Sequence, residues 1–256
     1  MNNLKQVFDH GKAFIPFITA GDPSLEVTEQ LVIAMAKAGA DLIELGIPFS
    51  DPVAEGEVIQ RSDLRALSMG VTTDKIFDMV ARIRKACDVP IAFMTYMNPV
   101  FTYGTEKFMK RCQEVNIQAL IVPDVPYEER EELLPYCEKY KVTFISMIAP
   151  TSSERIQMIA KQAQGFIYCV SSLGVTGMRD KIGDDVRKMI ETVRQVSDIP
   201  CAVGFGVSTP EQAAAISKYA DGVIVGSAIV KIIEEYGEDC IPHVVDYIKE
   251  LKSNMK

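Results

Sequence analysis

Ala40-Asp41-Leu42-Ile43-Glu44-Leu45-Gly46-Ile47-Pro48-Phe49-Ser50-Asp51-Pro52-Val53-Ala54-Glu55-Gly56 is the stretch from which the rest of the chain can be read. It opens as a buried strand. Leu42 and Ile43 are the β-favouring apolar residues expected where helices cover both faces of a parallel sheet. Glu44 then falls where that strand is about to end. Desolvating a charge costs several kcal/mol, so a buried strand carries Glu only where the group is paired or used. The turn-rich loop that follows, with Gly46, Pro48, Ser50, Asp51 and Pro52, brings a second carboxylate, Glu55, just before Gly56. An acid on a strand and another on a loop hold two titrating groups in different environments, as general acid–base chemistry needs. The plainer alternative has Glu44 accepting from backbone amides at a strand end and Glu55 solvated on its loop.

Working outward, one unit recurs: a short apolar strand, a loop, then an amphipathic helix. The expected strands are Ala13–Thr19, Ala40–Leu45, Pro90–Tyr96, Ala119–Pro123, Val142–Ile148, Gly165–Val170, Pro200–Gly204 and Gly222–Gly226. Helical patterns lie near Leu25–Ala38, Thr73–Ala86, Thr105–Val115, Tyr127–Lys139, Ser153–Gln162, Asp184–Gln195, Pro210–Tyr219 and Asp239–Lys252. Suitable N-caps precede them: Ser24, Thr72, Ser152 or Ser153, and Ser208 or Thr209 ahead of Pro210. The period is not a sequence repeat, which argues against a solenoid. Eight alternating β–α units in about 250 residues predict a (β/α)₈ TIM barrel, with a doubly wound open sheet as the alternative. No linker or low-complexity segment interrupts it, so residues 1–256 read as one domain. Two connections are longer than turns: from Gly46 to about Val71, and from Ser171 to about Gly183. Such connections are usually functional. The first should hold a short helix, since Val58, Ile59, Leu64 and Leu67 have helical spacing.

Composition narrows the chemistry. Net charge is −8, from 35 acidic and 27 basic residues without a basic cluster. That argues against nucleic acid or an anionic membrane as partner. No apolar run approaches a membrane span, and the N-terminus carries no signal-peptide core. The six cysteines form no CxxC pair, a reduced, cytoplasmic pattern without a zinc site. His10 and His243, the two histidines, have no metal-ligand neighbours in sequence. Carboxylates are left to do the chemistry.

In such a barrel, reacting groups collect at the C-terminal ends of the strands. Glu44, Tyr96, Asp124, Tyr168 and Ser171 fall there, followed by Gly204-Phe205-Gly206 and Gly226-Ser227. The two glycine segments expose backbone amides, and the second opens a helix directly. They predict an anion site, in keeping with the phosphate site that recurs after strands seven and eight of this fold. No strand end carries lysine, which disfavours a Schiff-base aldolase.

Together these segments resemble a known family. Phe17-Ile18-Thr19-Ala20-Gly21-Asp22-Pro23, Glu44 through Pro52, Met94-Thr95-Tyr96-Met97-Asn98-Pro99, Pro123-Asp124-Val125-Pro126, Gly174-Val175-Thr176-Gly177, Gly204-Phe205-Gly206 and Gly226-Ser227-Ala228-Ile229-Val230 look like the α subunit of tryptophan synthase. The likeness runs collinearly from about residue 13 to 235. It implies cleavage of indole-3-glycerol phosphate to indole and glyceraldehyde 3-phosphate. It also implies an α2β2 heterotetramer in which the β subunit carries pyridoxal phosphate and receives indole, with no cofactor in this chain. By position, Glu44 matches the family's catalytic strand-end glutamate, and Glu55 stands at the place of its second acid. Phe17, Tyr96, Tyr168, Thr176 and Phe205 match substrate contacts, Thr176 being the loop threonine that positions the second acid. Gly177, Gly206, Gly226 and Ser227 match phosphate-site positions, and Pro48 and Asp51 the partner interface. The lysine-dependent indole-glycerol-phosphate synthases, built on a related phosphate barrel, fit less well.

One departure stands out. The family has aspartate where this chain has Glu55, and proline where it has Glu57. Glu carries its carboxylate about 1.5 Å further out, and a misplacement of about 1 Å can cost on the order of 100-fold in rate. Two versions follow. Either the loop has shifted to suit Glu55, or the chain is a weak lyase that binds the phosphate ligand and chiefly activates the β subunit.

Overall fold

The computed structural model describes residues 4–170, 179–204 and 206–255. Nine parallel strands are present among them: β1 (Ala13–Thr19), β2 (Ile43–Gly46), β3 (Ile91–Met94), β4 (Ala119–Ile121), β5 (Thr143–Phe144), β6 (Ser146–Ile148), β7 (Ile167–Val170), β8 (Cys201–Gly204) and β9 (Gly222–Val225). They pair in the order β5-β4-β3-β2-β1-β9-β8-β7-β6. The two edges, β5 and β6, are one run of chain parted only at Ile145, whose N–H still donates to the Leu120 carbonyl at 2.9 Å. The first half pairs with β4 and the second with β7, so the expected fifth strand joins the two edges into an eight-position TIM barrel.

Alternation along each strand sorts the core into two layers. Ala13, Ile15 and Phe17 of β1 pack with Leu42, Ala92, Met94, Ile121, Tyr168, Ala202 and Ile224 inside the barrel. Their neighbours Phe14, Ile18, Ile43, Leu45, Phe93 and Val203 pack outward against the helices. At the N-terminal end a 3₁₀ turn, Leu4–Phe8, closes the interior, with Phe8 and Phe166 ring centroids 5.6 Å apart.

The outer ring comprises α1 (Leu25–Lys37), α2 (Glu57–Ser68), α3 (Thr73–Ile83), α4 (Met97–Tyr103), α5 (Thr105–Glu114), α6 (Leu134–Tyr140), α7 (Ser153–Ala160), α8 (Arg179–Arg194), α9 (Pro210–Ser217), α10 (Ser227–Tyr236) and α11 (Cys240–Asn254). Ser24, Thr72, Ser152 and Thr209 cap α1, α3, α7 and α9, each accepting from a first-turn N–H. Thr209 and Gln212 complete a reciprocal capping box. The helix expected over Tyr127–Lys139 is instead a 3₁₀ turn, Tyr127–Glu132, followed by α6, because Pro135 lacks an N–H and starts a new helix. The helix expected from Asp184 begins at Arg179. In α2 the helix is present but its buried face is Ser62, Asp63 and Ala66. Leu64, one of the residues whose spacing predicted this helix, is 59% exposed.

Candidate active site

The site grows from the end of β2. Glu44 pairs in register with Phe17 on β1 and Ala92 on β3, and follows Leu42 in the inward set. It is 1% exposed. Its Oε2 is buried without a hydrogen-bond partner among the described residues, which is not how a carboxylate caps a strand end. Burial, and then the charge of Glu55, push the Glu44 carboxyl up to about 8. At neutral pH it holds a proton. Tyr168, on β7 across the barrel, is pushed well above the usual phenol range by burial and by Glu44, so the two groups approach each other through the interior.

Glycines make that approach possible. A Cβ on Gly204 would lie 2.5 Å from the Tyr168 hydroxyl, and one on Gly46 would lie 2.7 Å from the Phe17 ring. Phe17 and Tyr168, both expected as ligand contacts, thus lie over strand ends that bear no side chain.

Glu55 reaches the same interior from the loop. Burial raises its affinity for a proton, while hydrogen bonds from Asp63 and Tyr96 lower it. Tyr96, 2% exposed, stands at the N-terminus of α4. Its hydroxyl oxygen accepts from the Ala54 N–H at 3.2 Å, and its O–H faces Glu55. Expected among the substrate contacts, Tyr96 engages the loop that carries the second acid. Its ring also lies 5.4 Å from that of Phe49.

The sequence reading missed Asp63. It is 3% exposed on the inner face of α2, against Glu55, Thr19 and the Phe49 N–H. Burial and Glu55 push it up to about 9. The available signal was its spacing, four residues after Ile59 and three before Ala66, on the face where α2 must pack.

The neighbouring wall of the mouth, where β9 pairs with β1, is built from backbone. Gly226 is the N-cap of α10 and supplies no side-chain hydrogen bond; Ser227 follows, exposed in the first turn. Gly206 is exposed with φ of +78°, a conformation suited to glycine. Asp124, on the loop after β4, accepts from the Met97 N–H at 3.0 Å and so caps α4. Of the expected partner residues, Asp51 is exposed and accepts from Ser50, whereas Pro48 is buried within the chain. Thr176, Gly177, Phe205 and Ser171 lie outside the described residues.

Arg65 joins the two walls. It donates to both oxygens of buried Asp22, at 2.8 and 2.7 Å, and to Glu234 on α10 at 2.8 Å; Arg61 grips the same Glu234. A concavity of about 1260 Å³ lies at the other end of the barrel, near Leu4, Pro90 and Gln118, and none of the three acids lines it. Among the described residues, no group of three or more His, Cys, Asp or Glu is arranged to hold a metal ion, and no helix is long and apolar enough to cross a membrane.

Comparison with known proteins agrees with this geometry. Residues 2–256 match the family described as Tryptophan synthase alpha chain. A tryptophan synthase alpha chain from Lacticaseibacillus casei is 48% identical over 252 residues, covering 98% of this chain and 95% of that one. Tryptophan synthase subunit alpha from Legionella pneumophila superposes with a TM-score of 0.90 at 35% identity, over 100% of this chain and 98% of the other. A Pyrococcus furiosus structure, described as the basis of mutual activation of the tryptophan synthase a2b2 complex, superposes with a TM-score of 0.87 at 34% identity, over 94% and 98%. The chain belongs to the tryptophan synthase alpha chain family.

Proposed function

We propose that Glu44 and Glu55 carry the proton handling of a retro-aldol cleavage at this barrel mouth. The reaction is the family's own: the chain is a lyase that cleaves indole-3-glycerol phosphate to indole and glyceraldehyde 3-phosphate. The observation that carries the assignment is Glu44, fully buried at a strand end and protonated at neutral pH, with one oxygen unpartnered among the described residues. A neutral acid in an apolar pocket is suited to giving up its proton once and taking one back.

In this reading Glu44 protonates indole C3. The ring becomes the electron sink, and Glu55, as an anion, accepts the indole N–H and eases the positive charge on nitrogen. Glu44, now ionised, takes the proton of the 3′-hydroxyl as the bond from C3 to the glycerol chain breaks. Its own proton is thereby restored, and neither lysine nor metal enters the step. Phe17 and Tyr168 flank the ligand. Its phosphate rests on the amides around Gly206, Gly226 and Ser227, where α10 offers an N-terminus without a side-chain cap. Thr176, Gly177 and Phe205 complete the two halves.

Indole then passes to a β subunit carrying pyridoxal phosphate, in an α2β2 assembly docked near exposed Asp51 and the Pro48 loop. The hydrogen bonds that join Glu55 to Tyr96 and Asp63 support an active lyase over a weak subunit that only activates its partner. Steady-state release of indole from indole-3-glycerol phosphate, with and without β subunit, is the direct test. Turnover that rises on adding the partner is expected; a chain that stimulates the β subunit yet releases no indole would overturn the reading.

A further inference from the structure

A hydrogen bond between two carboxyl groups needs a proton on one of them, because two carboxylates at that distance repel. Asp63 and Glu55 make such a contact. Asp63 is 3% exposed, on a helix that Arg65 and Arg61 anchor to Asp22 and Glu234. Glu55 is less buried, stands on a loop, and also receives the Tyr96 hydroxyl. Its Oε2 is buried with no hydrogen-bond partner among the described residues. That oxygen is left for a further donor.

We propose that Asp63 is a positioning residue that stays protonated and donates to Glu55, holding Glu55 as the ionised acid and turning its unpartnered oxygen toward the indole N–H. The proposal rests on the reading of Glu55 given above. It explains how the longer acid is accommodated: the extra methylene carries the Glu55 carboxylate to a partner fixed on α2. Asp63 is secured in turn by the Phe49 N–H and the Thr19 hydroxyl, which tie the loop and β1 to the same point. Burial and the Glu55 charge push Asp63 up to about 9, consistent with a retained proton. The other titratable groups facing the pair are Glu44 from β2 and Tyr96 from the start of α4.

The test exploits the difference between a donor and a charge. An amide also donates, so Asp63→Asn should keep kcat within about threefold of wild type. Asp63→Ala, with no donor, should lose tenfold or more in kcat with KM little changed. A second readout needs no turnover. In a Glu44→Gln background at pH 7, infrared spectroscopy should show the C=O stretch of one buried protonated carboxyl, and Asp63→Asn should abolish it. Asp63→Asn falling as far as Asp63→Ala, or a band that survives Asp63→Asn, would overturn the proposal. So would full activity in Asp63→Ala. If Glu55→Ala keeps wild-type kcat while the Asp63 band is present, the role given to Glu55 fails and the proton on Asp63 stands. Should Asp63→Ala not fold, the Asn variant and its spectrum decide.

Discussion

On one side of the barrel mouth, β2, the loop after it and α2 bring three carboxyl groups together, Glu44 and Asp63 buried and Glu55 partly so, with all three raised by burial. On the adjoining side, β8, β9 and the start of α10 present glycines and a serine, with no ionisable side chain among the described residues from 204 to 208 or from 225 to 230. The contrast follows from what each wall must do. A group that exchanges protons during a reaction must have a tunable proton affinity, and burial next to like charge supplies the tuning. The phosphate proposed for the other wall is not altered by the reaction, so amide dipoles that do not titrate are enough to hold it. Arg65 and Arg61 keep the walls in fixed relation by binding α2 to α10 through Glu234.

The sharpest way to break this comparison is on the acid wall. Glu44→Gln keeps the shape and removes the proton. General acid–base groups contribute about 10²–10⁴-fold, so kcat should fall by roughly 10³ or more while ligand affinity stays within a few-fold. Single-turnover kinetics measure the first and titration with an unreactive phosphate analogue the second. Near-normal turnover in this variant would move the catalytic acid elsewhere.

The glycine wall should respond in the opposite sense. Ser227→Asp puts a fixed negative charge in the first turn of α10, which favours the helix by a few tenths of a kcal/mol but repels a phosphate. Affinity for glycerol 3-phosphate should drop by roughly 100-fold, read by calorimetric titration. Unchanged affinity would place the phosphate at another part of the mouth.

How much of this contrast was legible in the sequence differs between the walls. The barrel showed through because every strand is a short apolar run between amphipathic helices, and Glu44 because it interrupts such a run. The glycine wall showed through because Gly226 is followed directly by a helix. Asp63 did not, because Val58, Ile59, Leu64 and Leu67 suggested a helix face on hydrophobicity alone. The face that packs is decided by polar contacts instead: Ser62 bonds Thr19 at 2.6 Å, Asp63 meets Glu55, and Leu64 is left outside. Tyr96 was placed correctly at a strand end. Its hydrogen bond to the Ala54 amide depends on the path of a loop, which spacing does not reveal.

The acid wall should also show itself in stability. Folded Glu44 holds its proton up to about pH 8, whereas an ordinary glutamate releases it near 4.5. Between those values the folded state binds the extra proton, so this contribution is complete below about 4.5, declines as pH rises, and is gone above about 8. At about 1.4 kcal/mol per pH unit, wild type should lose roughly 2 kcal/mol between pH 6 and pH 8 that Glu44→Gln does not lose. Urea unfolding of both proteins at the two pH values tests this, and parallel curves would mean that Glu44 is already ionised at pH 6. The glycine wall has no counterpart, so Ser227→Ala should leave the pH dependence as it is.

The smallest effect expected is also the one that decides what Glu55 is for. Aspartate at this position would restore the family pattern but withdraw the carboxylate by about 1.5 Å. In this protein the donors, Tyr96 and Asp63, are set for the longer side chain. Glu55→Asp should therefore lower kcat by roughly tenfold, about 1.4 kcal/mol of barrier, and Glu55→Ala should lower it further. A rise in kcat for Glu55→Asp would mean the opposite: that Glu55 is a misfit in a site still shaped for aspartate, and that the acid wall is tuned less finely than its burial implies. In that case the wild-type chain should still stimulate the β subunit, since the docking proposed at Pro48 and Asp51 does not involve Glu55. Glu55→Ala at wild-type kcat would defeat both versions and leave Glu55 a bystander. Measured side by side, the three proteins separate these outcomes, because each version orders their rates differently.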